Sequence, residues 1–89
     1  MNDFSRLTPD EIVRDKEALK CAVEILAKSN RCVAALQTSM DMGFAKAGRL
    51  YEAVCELPEM KKNGGIEWLR QAPDNYLKVL DSIDEMSFE

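Results

Sequence analysis

Two cations lie three residues apart in the segment FAKAGRL, where the apolar spacing predicts a helix. Arg49 carries a guanidinium, which can bind guanine through two parallel hydrogen bonds, and Lys46 can reach a base edge or a phosphate. This pattern indicates a helix that contacts duplex DNA. The alternative is a solvated helix face on which both cations pair with Glu52 and Glu56.

Further polar residues could extend such a DNA surface. Gln37 could bond a base or a phosphate, or hold a turn. Lys61 and Lys62 could grip phosphate beside the Asn-Gly pair that follows them, or simply solubilise a loop. Arg70 and Lys78 are the cations of a hairpin predicted near the C-terminus. The predicted DNA-binding set is therefore Gln37, Lys46, Arg49, Lys61, Lys62, Arg70 and Lys78.

Catalytic and metal chemistry find little support. The chain has no histidine, no glycine-rich phosphate loop and no CxxC pair, so we expect no enzyme, no catalytic residue, no metal site and no cofactor. Cys21, Cys32 and Cys55 are predicted to be small, partly buried thiols in a reducing compartment.

Charge and hydropathy limit the partners. The 89 residues hold 12 Lys and Arg against 16 Asp and Glu, a net charge of −4 that argues against strong nonspecific binding to nucleic acid but leaves room for a small basic face. No apolar run is long enough to span a membrane, and the polar N-terminus carries no signal core. We therefore expect a cytoplasmic protein with no membrane partner.

The pattern of helix signals predicts a helical core. LTPDE has the spacing of a capping box, Thr8 to Glu11, with Pro9 at the first helical position. Apolar residues then continue to Lys28, as one long helix or as two. A short helix from Cys32 to about Met40 and a third from Phe44 to about Leu57 follow, joined by a turn at 41–43.

The two glycines of DMGFAKAGRL have separate predicted roles. Gly43 is expected to take a positive φ in the turn, after which Phe44 enters the core. Gly48 is expected to permit close packing of the third helix on the second. A short helix, a tight turn and a longer helix with cations near its start form a helix-turn-helix layout.

The C-terminal third allows two interpretations. As helix, it places Tyr76, Leu77, Leu80 and Ile83 on one stripe; as sheet, IEWL and YLKVL form two strands around the turn-like RQAPDN. We favour the hairpin, which gives a mainly α fold: a trihelical helix-turn-helix core with a small β-hairpin wing, a winged helix. The predicted boundaries are an N-terminal extension at 1–14, the winged-helix domain at 15–80 and an acidic tail at 81–89.

The segment CVAALQTSMDMGFAKAGRLYEAV resembles the C-terminal gamma domain of the FtsK/SpoIIIE DNA translocases. The matching positions are Leu36 and Gln37, then Met42, Gly43 and Phe44, then Lys46, Ala47, Arg49 and Leu50. The resemblance covers about 15–80 and implies a winged helix that reads short G-rich sequences, orients DNA translocation in chromosome segregation, and contacts a recombinase.

Departures from that pattern suggest a second hypothesis. The family's asparagine in the third helix is Ala45 here, and three of its arginines are Thr38, Ser39 and Asp41. Fewer cations weaken the salt-dependent part of DNA affinity. The alternative is therefore a protein-interaction module on a winged-helix scaffold, whose partner is a recombinase, a translocase motor or a second copy of itself.

Overall fold

A computed structural model describes residues 4–87, and within that range the chain is helical and contains no β-strand. None of the helices described is both long and apolar enough to cross a membrane. The helices are α1 Pro9–Ile12, α2 Lys16–Lys28, α3 Val33–Ser39, α4 Phe44–Cys55, α5 Pro58–Asn63, α6 Ile66–Gln71 and α7 Pro73–Glu85.

Side-chain caps separate the first two helices. The capping box is confirmed: the Glu11 amide donates to Thr8 Oγ1 at 3.1 Å, and the Thr8 amide donates to Glu11 Oε1 at 2.9 Å. After α1, Asp15 accepts a hydrogen bond from the Ala18 amide at 2.9 Å and starts α2. Of the two options left open by the sequence, the structure has two helices, because Asp15 satisfies a backbone donor at the new N-terminus.

The core forms around α2, which packs against α3, α4, α6 and α7. Its apolar residues recur with helical spacing, and Leu19, Val23 and Leu26 are fully buried. α2, α3 and α4 also contact one another pairwise. The remaining large buried side chains are Ile12, Leu36, Leu50, Val54, Met60, Leu69, Val79 and Ile83.

The predicted β-hairpin wing is wrong, because both of its strands are helices, α6 and α7. Gly64 and Gly65 take positive φ angles of 112° and 85° and let the chain reverse before α6. Pro73 then occupies the first turn of α7. A helix forms here because it buries Val79 and Ile83 in the shared core, whereas strand alternation would divide the apolar residues between two faces. The buried face is not the predicted helical stripe: of its four residues only Ile83 is buried, and Leu77 is exposed.

Both ends of the described chain join the core. α1 packs on α4 and buries Ile12, which belongs to the predicted extension at 1–14. α7 continues to Glu85 and buries Ile83, within the predicted tail at 81–89. Residues 1–3 and 88–89 of those two segments lie outside the described residues.

Three predictions for the α3–α4 turn are also wrong. Asp41, not Gly43, takes the left-handed conformation, with φ 52°, while Gly43 precedes α4 in extended geometry at φ −73°. Phe44 is 70% exposed and does not enter the core. A Cβ added at Gly48 would meet no atom within 4 Å, so this glycine does not serve packing against α3. An aspartate tolerates left-handed geometry better than most residues, which makes a glycine at position 43 unnecessary for the turn.

Candidate interaction surface

Helix α4 divides into a buried and an outward-facing side. Ala47, Leu50 and Val54 are fully buried against the core. The opposite side includes the exposed or partly exposed residues Phe44, Ala45, Gly48 and Glu52, which we call the outer face of α4. The resemblance to the gamma domain predicts that this helix reads DNA.

The two cations of α4 are bound to the N-terminal segment. Lys46 Nζ donates to the carbonyl oxygens of Phe4 and Ser5, each at 3.2 Å. Arg49 Nη2 forms a salt bridge with Asp10 Oδ1 on α1. Both predicted DNA contacts therefore hold residues 4–10 against α4, a use that their spacing in the sequence does not reveal.

The other predicted cations lie on α5, α6 and α7. Lys61 pairs with Glu56 at 3.2 Å, and Lys62 pairs with Glu59 at 3.3 Å. Arg70 Nε donates to the Leu26 carbonyl oxygen at 3.0 Å. The two lysine pairs are local and exposed, and pairs of this kind contribute about 0–1 kcal/mol each, whereas the Arg70 bond joins α6 to α2.

Lys78 and Gln37 complete the predicted set. Lys78 is exposed on α7 and forms no ion pair with any residue from 4 to 87. Gln37 is partly buried on α3, and its backbone carbonyl accepts a hydrogen bond from the Met42 amide at 3.2 Å, which helps close the turn. The six predicted cations thus belong to four helices, and five of them are held by partners inside the protein.

The outer face of α4 combines one large apolar side chain with one gap. Phe44 is the most exposed large hydrophobic residue described, and Leu77 on α7, at 48%, is the other. Gly48 follows Phe44 by four residues, so both lie on the same side of the helix. The space above Gly48 is open. This face therefore presents a ring and, one turn along, a position where another backbone could approach closely.

A separate polar cluster lies where α6 reaches the start of α3. Arg70 Nη2 contacts Cys32 Sγ at 3.6 Å, and the Tyr51 hydroxyl interacts with the thiols of Cys32 and Cys55. The hydrogen bond from Arg70 lowers the pKa of Cys32, whereas burial raises the pKa of Tyr51 to about 12. This cluster is not predictable from the sequence, because only the i, i+4 spacing of Tyr51 and Cys55 signals any part of it.

Cys32 also has unusual backbone geometry. Its φ of 55° and ψ of −122° are rarely adopted by a residue with a side chain. The Cys32 and Cys55 thiols are free, as is that of Cys21 on α2. No group of three or more Cys, Asp or Glu side chains within 4–87 is arranged to hold a metal ion.

Comparisons with protein-family models, with curated proteins and with solved structures find no match for this chain. The resemblance to the FtsK/SpoIIIE gamma domain therefore stays a prediction.

Proposed function

We propose that this chain is a protein-interaction module that self-associates through the outer face of α4. The observation that carries the proposal is the exposure of Phe44 beside the open backbone of Gly48. An exposed aromatic ring costs solvation free energy in a monomer, and interfaces are enriched in aromatic residues. A glycine in the interior of an exposed helix face also lowers helix stability, a cost that close packing of a partner against it would offset.

A second copy is the partner that fits this face best. In a two-fold symmetric contact, each residue meets the same set of residues on the other copy. Antiparallel α4 helices would then place each Phe44 ring over the Gly48 gap of the other copy. The outer face of α4 carries both the Phe44 ring and the open space above Gly48. Two copies of this one face can therefore fit each other, and no different partner surface is required.

Charge gives this arrangement a characteristic salt dependence. With Phe44 of one copy opposite Gly48 of the other, the two-fold axis passes at the level of Lys46, so Glu52 and the Arg49 of the other copy lie on opposite sides of the axis and do not pair. The net charge of −4 repels two copies at long range, and added salt should therefore strengthen the association.

Sedimentation velocity over a micromolar to millimolar concentration range tests the proposal. Full burial of a phenylalanine is worth about 1.5–3 kcal/mol, so a ring that is 70% exposed can gain about 1–2 kcal/mol. Two rings contribute in a symmetric dimer, so Phe44→Ala should weaken it by at least about thirtyfold. Leu77→Ala is the matched control, since it removes an exposed apolar side chain from α7 and should leave the dimer intact. A wild-type chain that remains monomeric throughout would overturn the proposal.

DNA binding by α4 is the second candidate function. The observation that favours it is the pairwise packing of α2, α3 and α4, with a short turn before α4, as in a helix-turn-helix unit. On this proposal the module would act in the cytoplasm with a translocase motor or a recombinase, and Arg49 would contact DNA after leaving Asp10. That salt bridge is exposed, with 84% of the Asp10 side chain accessible, so its loss costs little.

Asp10→Asn separates the two candidate functions. The substitution frees Arg49 for a phosphate or a guanine, so a DNA-binding protein should bind duplex DNA more tightly in a fluorescence anisotropy titration at low salt. G-rich and random duplexes should both be tested, because only base contacts distinguish them. Unchanged, negligible binding by wild type and Asp10→Asn would exclude DNA as the ligand. The effect of salt provides a further test. DNA affinity falls as the salt concentration rises, whereas the proposed self-association should strengthen.

A further inference from the structure

We propose that Cys32 is a modification site: a selectively reactive thiol that hydroperoxides oxidise to a sulfenic acid, with Arg70 and Tyr51 as the groups that position and activate its sulfur. This inference is independent of the outer face of α4. It depends on contacts among three elements that are distant in sequence.

Arg70 is held in place for its contact with Cys32. Its Nε donates to the Leu26 carbonyl oxygen near the end of α2 at 3.0 Å, and this bond directs Nη2 to Cys32 Sγ at 3.6 Å. A guanidinium is always charged and presents several donors in a fixed plane, so one group can bond both partners at once. The cation therefore stays beside the sulfur without having to be recruited.

The two remaining thiols serve as internal comparisons. Burial raises the pKa of Cys21 and that of Cys55, and no cation is among the groups that shift either one. At Cys32 the Arg70 hydrogen bond outweighs burial, and the contact with Tyr51 lowers the pKa further. The groups that face Cys32 are Arg70, Tyr51 and Cys55. Since the thiolate is the nucleophile, oxidation should be selective for Cys32.

The chemistry is a two-electron oxidation of sulfur. The Cys32 thiolate attacks one oxygen of a hydroperoxide, an S–O bond forms and the O–O bond breaks. The sulfur is oxidised to the sulfenic acid, and the second oxygen leaves as hydroxide, or as alkoxide, which takes up a proton from solvent to give water or an alcohol. Arg70 remains available to donate a hydrogen bond to the new oxygen.

Dimedone trapping with peptide mass spectrometry tests this assignment on the wild-type chain. Hydrogen peroxide is the probe, and the adduct is measured separately at each cysteine. We expect Cys32 to be labelled faster than Cys21 or Cys55 at neutral pH, because the Arg70 hydrogen bond lowers the pKa of Cys32 while burial raises the pKa of the other two thiols. Equal labelling of Cys32 and Cys21 would overturn the proposal without any variant being required.

Substitution of Arg70 tests the cause. Arg70→Gln should slow trapping at Cys32 and move the pH midpoint of its reaction with iodoacetamide upward, whereas Arg70→Lys should retain part of the wild-type rate. Labelling at Cys21 is the control in each variant, and circular dichroism verifies the fold. A folded Arg70→Gln variant with an unchanged midpoint at Cys32 would refute the role of the guanidinium.

Discussion

Gly48→Ala should stabilise the monomer. Gly48 lies in the interior of α4, where glycine is less favourable than alanine by about 0.5–1 kcal/mol. The new methyl group would meet no atom within 4 Å, so no steric cost offsets that gain. We therefore expect the free energy of unfolding to rise by about 0.5–1 kcal/mol, which for a domain of this size raises Tm by about 2–8 °C.

Two other glycines provide matched controls for that measurement. Gly64 ends α5 with φ 112°, so Gly64→Ala should destabilise the fold by about 1–2 kcal/mol. Gly43 precedes α4 in extended geometry, where alanine is a poorer cap, so Gly43→Ala should cost up to about 1 kcal/mol.

Thermal and urea unfolding at a low protein concentration measure the effect on the monomer. If Gly48→Ala lowers stability there, the assignment of open space above Gly48 is refuted. The same substitution should weaken self-association, because the methyl group fills the gap proposed to receive Phe44 of the second copy; misfit of this size costs about 1–3 kcal/mol. A change that stabilises the monomer and weakens the dimer cannot arise from general unfolding.

Three further substitutions test the local structure. Asp41→Gly should raise the free energy of unfolding by about 0.5–1 kcal/mol, because φ at this position is 52° and glycine adopts positive φ without steric cost. Chemical denaturation measures the change in stability. Thr8→Ala should cost about 1 kcal/mol by removing the capping box with Glu11, and should increase amide exchange in α1. Burial raises the pKa of Cys21 above its ordinary value of 9.0, so its contribution to stability is present below that pH and is lost as pH rises through the shifted pKa. Cys21→Ala should therefore flatten the alkaline decline of the urea midpoint.

The sequence predicted the helices that depend on local signals. The capping box at Thr8 and the starts of α3 and α4 follow from caps, turns and apolar spacing within a few residues. The prediction for the C-terminal third was wrong because IEWL and YLKVL, short and mostly apolar runs with one charged residue each, fit a strand as well as a helix. Only packing against α2, which lies far away in sequence, decides between them.

The candidate site was predictable only in part. The helical spacing of the apolar residues around Arg49 correctly predicts that its side chain faces outward. Its pairing with Asp10 is not predictable in this way, because the two residues are 39 positions apart in the sequence. The contact of Arg70 with Cys32 spans 38 positions. Because such long-range contacts depend on how the helices pack, no local pattern indicates which cations remain available to a partner.

The most direct test of the central claim is sedimentation velocity of the wild-type chain and of Phe44→Ala, run side by side at several concentrations and two salt concentrations. We predict a concentration-dependent monomer–dimer equilibrium for the wild type that strengthens with salt, and a monomer for Phe44→Ala. A wild-type chain that stays monomeric at millimolar concentration, or a dimer unaffected by loss of the Phe44 ring, would contradict the claim.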